Sequence, residues 1–317
     1  EGLTRYTEKG EIEGSLAESW TVDLAKVFTF KLRAGVKFHD SSEFTADDVK
    51  FALERAGAAD STNPRKVVFA NIESIEAVDP LTVRITLKTP SNLFLYYLAE
   101  ATAAMVAPET ADQNAAMPVG TGPYQVTSWV RGDRIELQKF ADYNGATPGT
   151  IENATIRYMG NANAMAATLR AGDIDYIPAV TTLESVVDFK DDANFNVRVG
   201  QTQGVLGLVL NNSNKTLSDL RVRQALFHAV DWRTINEVAH SGLGEPRGTQ
   251  MTPVNPFYVE TAVRDRYDPA KAVALLEEVG VSGLNLTFKI LPQPTLVRTA
   301  EIVAAQLAQV GIRVKLE

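Results

Sequence analysis

The clearest succession of elements in this chain lies in residues 199–231, which read VGQTQGVLGLVLNNSNKTLSDLRVRQALFHAVD. The apolar run at 205–210 predicts a strand that is buried on both faces, and the polar residues at 211–214 predict a turn. Ser218 is placed to cap the helix that follows. Apolar side chains recur along this helix at intervals of three and four residues and form one stripe: Val222, Ala225, Leu226, Ala229 and Val230. A strand therefore leads through a turn into a packed helix.

The composition limits the classes of protein to which the chain can belong. A chain of 317 residues with 45% hydrophobic content can bury a large core, and its length suggests about two domains of ~150 residues each. A formal net charge of -8 disfavours nucleic acid and anionic membranes as partners, because both repel an acidic surface. The sequence contains no cysteine, which excludes disulfides, a thiol nucleophile and cysteine ligation of a metal.

The residues before this stretch predict mainly strands. Alternation of apolar and polar residues at 28–32 is typical of a half-buried strand. Thr45 and Asp48 have the spacing of a capping box, which predicts a helix at 46–56. Further strands are predicted at 83–87, 124–130, 134–140, 156–158 and 173–177, the second and third of them as a hairpin.

The residues after it predict an alternation of helices and strands. Asp268 followed by Pro269 is a typical helix start. A strand pattern at 284–290, a helix stripe at 296–310 and a second strand pattern at 312–316 predict a βαβ unit with parallel strands. Helices are also predicted at 164–171, 232–240 and 268–279. This interleaving indicates an α/β fold class.

An aromatic segment at 92–98, NLFLYYL, lacks the clean alternation of a strand. Aromatic clusters mostly pack inside proteins, so one interpretation is a buried, helix-like part of the core. The other interpretation is a wall of a ligand-binding site. The residues alone leave both interpretations open.

The residue types that support catalysis do not form a catalytic pattern here. His39, His228 and His240 are the only histidines, and none has the spacing of a zinc motif such as HExxH. No GxSxG elbow supplies a serine nucleophile. A proline and a second strand follow the glycines at 120–122, so these glycines do not form a phosphate-binding loop. We therefore expect no catalytic residue, no metal site, no cofactor and no enzymatic activity.

Several motifs follow one another from end to end of the chain. They are EGLTRY at 1–6, GSLAESWTV at 14–22, FTFKLRAGVKFHD at 28–40, FTADDVKFALER at 44–55, VGTGPYQVTSW at 119–129, LRAGDIDY at 169–176, LSDLRVRQALFHAVDWRTI at 217–235, YDPAKAVALLEEVG at 267–280 and VGIRVKLE at 310–317. This ordered set resembles family 5 of the extracytoplasmic solute-binding proteins, the peptide/nickel type, which deliver ligands to ABC importers. One departure is Ser41, which stands where the family usually has glycine.

The resemblance implies an α/β fold of the two-lobe periplasmic binding protein kind, type II and cluster C-like, with mixed sheets. Lobe I would comprise residues 1–200, with a hairpin-rich subdomain at about 20–120, and lobe II residues 201–317. The strand near 200–210 would cross between the lobes. Relatives have further segments before the EGL motif and after the last strand. We therefore expect a chain truncated at both ends, with lobe II incomplete.

The resemblance also implies where ligand contacts would lie. Relatives line the pocket with the residues just before the asparagines at 211–212, with the aromatic segment, and with the start of the helix at 296–310. Arg298 is suited to pair with a carboxylate through two hydrogen bonds. In each region a purely structural role stays open: a crossing strand, a core segment or a solvated first turn. The predicted ligand-binding residues are Phe94, Thr202, Gln203, Gly204, Val205, Gln293 and Arg298.

The function that the resemblance predicts is that of the solute-binding component of an ABC importer. Its ligand would be an oligopeptide, a dipeptide or a similar small polar solute, held in an interlobe cleft by hinge closure. The expected partners are this ligand and ABC permease subunits, without nucleic acid. We expect a monomer in the periplasm, or one that is lipid-anchored outside the cell if the organism has no outer membrane. The alternatives are a ligand-sensing domain of a transcription regulator with the same fold, and a binding protein for chelated nickel, opines or oligosaccharides.

Overall fold

A computed structural model describes residues 1–180, 183–200, 202, 204–245, 247–255, 257–260 and 266–317. The chain divides into two units, Glu1–Tyr158 and Met159–Glu317. Each unit contains both helices and strands, and the sheets include antiparallel and parallel pairs. The prediction of an α/β chain with mixed sheets is therefore confirmed. The assignment of residues 1–200 to lobe I and 201–317 to lobe II stays a prediction.

Antiparallel strands dominate the first unit. Its elements are β1 (Thr4–Tyr6), β2 (Ile12–Gly14), β3 (Ala17–Asp23), β4 (Val27–Leu32), α1 (Ala46–Gly57), α2 (Lys66–Ala70), β5 (Ile72–Asp79), β6 (Thr82–Leu87), α3 (Phe94–Leu98), a short 3-10 helix (Ala101–Ala103), β7 (Tyr124–Val130), β8 (Arg134–Lys139) and β9 (Asn153–Arg157). One sheet has the order β3-β4-β6-β5, a second has the order β7-β8-β9, and β1 pairs with β2. The predicted hairpin is the pair β7 and β8.

The core of the first unit follows from the alternation in β4. Phe28, Phe30 and Leu32 are all buried, while the residues between them are half-buried or exposed. Leu53 of α1 packs in the same cluster. Full burial of each such side chain contributes roughly 1.5–3 kcal/mol, so this layer holds α1 against the four-stranded sheet.

The predicted capping box is present at the start of α1. The Asp48 carboxylate accepts hydrogen bonds from the Thr45 backbone amide at 2.8 Å and from the Thr45 hydroxyl at 3.0 Å. Burial raises the pKa of the Asp48 carboxyl, and both hydrogen bonds oppose that shift. The Asp48 carboxylate is therefore engaged at the helix start.

Helices dominate the second unit. Its elements are α4 (Ala162–Ala171), α5 (Leu183–Lys190), α6 (Leu220–His228), α7 (Trp232–His240), α8 (Pro269–Glu278), β10 (Asn285–Phe288), α9 (Pro294–Gln309) and β11 (Arg313–Leu316). β10 and β11 pair in parallel with Asn285 opposite Arg313, which confirms the predicted parallel pair on either side of α9. A single apolar cluster joins α6, α7, α8 and α9.

Two predicted strands are wrong. Residues 204–210 and 173–177 form no strand, and among the described residues no strand pairs with either segment. A strand needs a ladder of hydrogen bonds to a neighbour, which an apolar run does not supply by itself. The predicted two-sided burial at 205–210 is wrong as well, because Val209 is 94% exposed while Leu210 packs against the core of the second unit.

The predicted cap of α6 is also corrected. Ser218 does not cap the helix, because its hydroxyl donates to the carbonyl of Lys215 at 2.7 Å. Asp219 is the N-cap instead, and its carboxylate accepts from the backbone amide of Arg221 at 2.8 Å. The two candidates are adjacent in sequence, and only the path of the preceding turn distinguishes them.

Candidate functional site

The EGLTRY motif is bound to the aromatic segment through α3. A Cβ atom at Gly2 would lie 2.4 Å from the carbonyl oxygen of Leu98, so only glycine fits at this position. The Thr4 hydroxyl donates to the carbonyl of Leu95 over 2.8 Å. A close backbone approach and a partly buried hydrogen bond thus hold the motif against α3.

Phe94, a predicted ligand contact, lies in the core of the first unit. Its side chain is 1% exposed, and its ring centroid is 5.0 Å from that of Phe28. Tyr96, in the same helix, is 41% exposed, and its ring lies 6.2 Å from that of Tyr6. Within this unit Phe94 is a packing residue, and Tyr96 is the accessible aromatic side chain. A role for Phe94 in ligand binding stays a prediction.

His39 joins two motifs that are far apart in sequence. Its Nδ1 atom accepts a hydrogen bond from the Gly120 amide at 3.2 Å, and its Nε2 atom donates to the Gly122 carbonyl at 2.9 Å. The backbone amide of His39 also donates to the Gly120 carbonyl at 2.9 Å. The ring of Phe140 meets the imidazole edge to face at 5.0 Å. The turn before β7 is therefore held by an uncharged imidazole.

A polar network that the sequence did not predict lies beside this turn. The carboxylate of Glu1 accepts from the Arg33 guanidinium at 3.3 Å and from the Tyr143 hydroxyl at 3.1 Å. Arg33 also donates to the Ser15 carbonyl at 2.7 Å and to the Asn144 side-chain oxygen at 3.2 Å. Burial, followed by the adjacent Glu1 carboxylate, raises the pKa of Tyr143. No local pattern marks Arg33, because its partners come from distant segments.

The predicted ligand contacts before residue 211 are accessible where they are described. Thr202, Gly204 and Val205 are exposed, and the Thr202 hydroxyl accepts a hydrogen bond from the Gly204 amide at 3.1 Å. Gln203 lies outside the described residues. Exposed hydroxyl and backbone groups are suited to hydrogen bonding with a polar ligand.

The other predicted contacts in the second unit lie at the start of α9. Gln293 is the N-cap residue without a side-chain capping bond, Pro294 is the first helical residue, and both Gln293 and Arg298 are exposed. The start of a helix carries partial positive charge from the helix dipole, and Arg298 adds a full positive charge one turn later. This end of α9 therefore favours anionic groups.

His240 supports the same helix. Its Nε2 atom donates to the Thr299 hydroxyl at 3.1 Å, and that hydroxyl donates in turn to the Thr295 carbonyl at 2.8 Å. Burial lowers the pKa of His240. Like His39, His240 has a structural role, and its burial favours the neutral imidazole.

An open cavity of about 370 Å³ lies beside the C-terminal end of α1. Arg55, Asp60, Asn63 and Thr102 are among its lining residues, and none of the predicted ligand contacts is.

Within the described ranges, no group of three or more His, Cys, Asp or Glu side chains is arranged to hold a metal ion. No helix in the part of the chain that the structure covers is long and apolar enough to cross a bilayer.

Sequence comparison identifies relatives along the whole chain. The glutathione-binding protein GsiB of Salmonella choleraesuis (strain SC-B67) is 31% identical over 325 residues, which cover 100% of this chain and 63% of the relative. The chain thus spans less than two thirds of the length of this curated relative.

Structural comparison leads to the same group of proteins. NikA from Brucella suis, in complex with Fe(III)-EDTA, superposes with a TM-score of 0.87 at 29% identity, covering 100% of this chain and 68% of that one. The ABC transporter-associated periplasmic binding protein DppA from Helicobacter pylori, in complex with the peptide STSA, gives a TM-score of 0.84 at 28% identity, with coverages of 100% and 67%.

These likenesses define the class of protein to which the chain is similar, the type II periplasmic binding proteins. Residues 11–317 match the profile of the bacterial extracellular solute-binding proteins, family 5 Middle, and the chain belongs to this family. The family predicted from the ordered motifs is confirmed.

Proposed function

We propose that this chain is part of the extracytoplasmic solute-binding component of an ABC importer, and that its ligand is a short peptide or a peptide-like solute. The observation that carries this proposal is the family match over residues 11–317, which extends through both units. The ligand would be held in a cleft that closes by hinge motion, because contacts to two lobes stabilise the closed state over the open one. The closed form would be presented to permease subunits.

The relatives favour a peptide-like ligand. One binds glutathione by name, and another was solved with the peptide STSA. Short peptides and glutathione share a carboxylate and a polar backbone. A ligand of this class therefore needs at least one group that attracts a carboxylate and several that hydrogen-bond with amides.

The charge at the start of α9 supports an acidic ligand group. Gln293 and Arg298 are exposed there, and the helix dipole has its positive end at this point. A guanidinium binds a carboxylate through two parallel hydrogen bonds, which fixes the orientation of the ligand as well as its charge. We assign Arg298 and Gln293 to the carboxylate end of the ligand.

The segment before residue 211 supports contacts to the ligand backbone. Thr202 and Gly204 are exposed, and we assign them, together with Gln203 and Val205, to this role. Phe94 would act indirectly by supporting the helix that carries Tyr96. Binding without turnover is supported by the histidines, since His39 and His240 hold neighbouring backbone or hydroxyl groups.

A chelated metal is a second candidate ligand. The observation in its favour is the TM-score of 0.87 with NikA, which was solved with Fe(III)-EDTA. Such a chelate is itself a polycarboxylate, so the start of α9 would suit it for the same electrostatic reason. Protein ligation of a bare metal ion has no support from the described side chains.

Thermal unfolding of the natural full-length protein with a panel of ligands tests the proposal. The panel contains glutathione, di- and tripeptides, nickel–histidine and Fe(III)-EDTA chelates, an opine and an oligosaccharide. A ligand present at 100 times its Kd stabilises the protein by about 2.7 kcal/mol, which raises Tm by several degrees. A rise with peptides supports the first candidate and a rise with chelates alone supports the second. If no member of the panel raises Tm, the proposed ligand classes are wrong.

A pair of variants tests the assignment of Arg298. Arg298→Met should weaken binding of a carboxylate ligand roughly 10- to 100-fold, because a charged hydrogen-bond pair contributes about 1.5–3 kcal/mol. Arg313→Met in β11 is the matched control, since Arg313 is an exposed arginine of the same unit. Equal affinities in the two variants would remove Arg298 from the site.

A further inference from the structure

Several hydrogen bonds hold the turn at 119–123 in the first unit, and two of them come from the His39 imidazole. The Val119 amide also donates to the Asn114 side-chain oxygen at 2.8 Å, and the Phe140 amide donates to the Pro123 carbonyl at 2.9 Å. His39 makes three hydrogen bonds to Gly120 and Gly122, at 2.9, 3.2 and 2.9 Å. This turn connects the part of the unit that contains the four-stranded sheet to the start of β7. Loss of an imidazole bond to this turn would therefore loosen the entry into the second sheet of the unit.

The bond pattern is compatible with only one protonation state of the imidazole. The Gly120 amide is a donor, so Nδ1 has to carry a lone pair to accept from it. The Gly122 carbonyl is an acceptor, so Nε2 has to carry the proton. If Nδ1 takes up a proton, two donors face each other across 3.2 Å and the bond from Gly120 is lost.

The surroundings of His39 offer limited compensation for a positive charge. The turn at 119–123 has no titratable side chain, and the apolar ring of Phe140 covers the imidazole. Asp40 on the same loop and the Glu1 carboxylate favour the charged form. Two hydrogen bonds from Ser42 already engage the Asp40 carboxylate.

The loop that carries Phe140 contributes two further titratable groups. Asp142 is paired with Lys37 at 2.8 Å, and the Tyr143 hydroxyl donates to Glu1 at 3.1 Å. The Asp142 and Glu1 carboxylates are thus engaged with partners other than His39. Burial is the largest effect on the imidazole and lowers the pKa of His39 from its ordinary value of 6.5, although the hydrogen bond to Gly122 raises it.

We propose that His39 is an acid-sensitive latch: the neutral imidazole accepts the bond from the Gly120 amide, and protonation at Nδ1 breaks that bond and loosens the 119–123 turn. The latch concerns the first unit alone and does not depend on the identity of the ligand. Because the folded protein resists protonation, the unfolded chain binds more protons below about pH 6.5. The stabilisation from the latch is therefore complete above that pH and is lost as the pH falls through the lowered pKa.

Hydrogen exchange of the Gly120 amide tests the latch in the 317-residue protein. After correction for the intrinsic exchange rate, its protection should fall about three- to tenfold between pH 7.5 and pH 5, as expected for loss of one hydrogen bond. His39→Asn retains an acceptor near the Nδ1 position but does not titrate, so its Gly120 protection should stay constant. His240→Asn is the matched control and should behave like the wild type. Constant protection in the wild type, or the same fall in His39→Asn, would overturn the proposal.

A second measurement needs no variant. Nitrogen-15 NMR of the wild-type imidazoles should show His39 with the proton on Nε2 at pH 7.5 and a titration midpoint below 6.5, and the Gly120 amide shift should follow the same midpoint. A proton on Nδ1 at pH 7.5, or a Gly120 shift independent of the His39 titration, would contradict the latch.

Discussion

His228 of α6 donates from Nδ1 to the carbonyl oxygen of Arg266 at 2.6 Å, and the His228 carbonyl accepts from the Asp268 amide at 2.8 Å. Two bonds thus join the end of α6 to the residues that start α8. The His228 side chain is 7% exposed, so its imidazole both fills space and holds the approach to the next helix.

Replacement of His228 should therefore destabilise the second unit. We expect His228→Ala to lower the free energy of unfolding by about 1–3 kcal/mol, because it removes a hydrogen bond and leaves a cavity. Urea unfolding measures the change. Glu277→Gln, at an exposed position of α8, is the control and should change stability by less than ~0.5 kcal/mol. If His228→Ala lowers the free energy of unfolding as little as the control does, the His228–Arg266 hydrogen bond does not contribute to stability.

The start of α7 depends on Asp231. Its carboxylate accepts from the backbone amides of Arg233 at 3.0 Å and Thr234 at 3.3 Å, and from the Thr234 hydroxyl at 2.6 Å. Asp231→Ala should cost about 1–2 kcal/mol of stability, as measured by thermal unfolding, because it leaves amides of the first turn without an acceptor. Asp231→Asn retains an acceptor and should cost clearly less.

The same cap predicts a pH dependence. Burial alone would raise the pKa of Asp231, but the hydrogen bonds from Thr234 and Arg233 outweigh burial and lower it below 3.8. A carboxyl group with a lowered folded pKa stabilises the protein above its unfolded pKa and loses that effect as the pH falls through the lowered value. The stability difference between wild type and Asp231→Asn should thus shrink between pH 6 and pH 3. If this stability difference stays constant between pH 6 and pH 3, the charge of Asp231 does not contribute and only the geometry of its hydrogen bonds does.

Left-handed backbone at non-glycine residues identifies sites for stabilisation. Ser41 has a φ of 74°, at the position where the family usually has glycine, and its turn still forms. Ser41→Gly should stabilise the protein by about 0.5–1 kcal/mol, because relief of the strained backbone outweighs the added flexibility of the unfolded chain. Gly35→Ala, at a φ of 69° with ordinary contacts around the new methyl group, should have the opposite sign. Differential scanning calorimetry compares the two, and equal signs would contradict the backbone argument.

The turn between β3 and β4 offers a second test of that argument. Leu24 and Ala25 have φ angles of 48° and 52°, and Leu24 is 84% exposed. Asp23 pairs with Val27, so three residues connect the strands, and the first two of them have positive φ values, which favour Asn and Gly. The double change Leu24→Asn and Ala25→Gly should raise the free energy of unfolding by about 1 kcal/mol, because relief of the positive φ values outweighs the loss of one half-buried methyl group. A lower Tm would show that Leu24 makes contacts beyond the turn.

A substitution at Val209 tests whether residues 205–210 are buried, as the sequence predicts, or exposed, as in the structure. Its side chain is 94% exposed, whereas Val222 in α6 is 1% exposed. Val209→Lys should leave Tm nearly unchanged, with an effect within ~0.5 kcal/mol. Val222→Lys should destabilise by several kcal/mol, because it buries a charge without a partner. A large effect at Val209 would show that the predicted burial was right.

The sequence by itself determined the features that local rules control. Capping chemistry at Thr45 and at Asp268 marked the starts of α1 and α8, and periodicity marked α9 and the parallel strands on either side of it. These signals act over three or four residues, so they do not depend on the rest of the fold. The ordered motifs added the family by resemblance, and the profile match confirmed it.

Only the tertiary structure decided which distant residues meet. The apolar run at 205–210 looks buried in sequence, but burial depends on a partner strand that periodicity does not reveal. His39 and Gly120 are 81 residues apart, and Glu1 and Tyr143 are 142 apart, yet each pair is joined by a hydrogen bond. The same holds for Phe94, whose role depends on the side of α3 that faces the core. Such contacts follow from the path of the whole chain, because a hydrogen bond or a packed ring requires both partners at once.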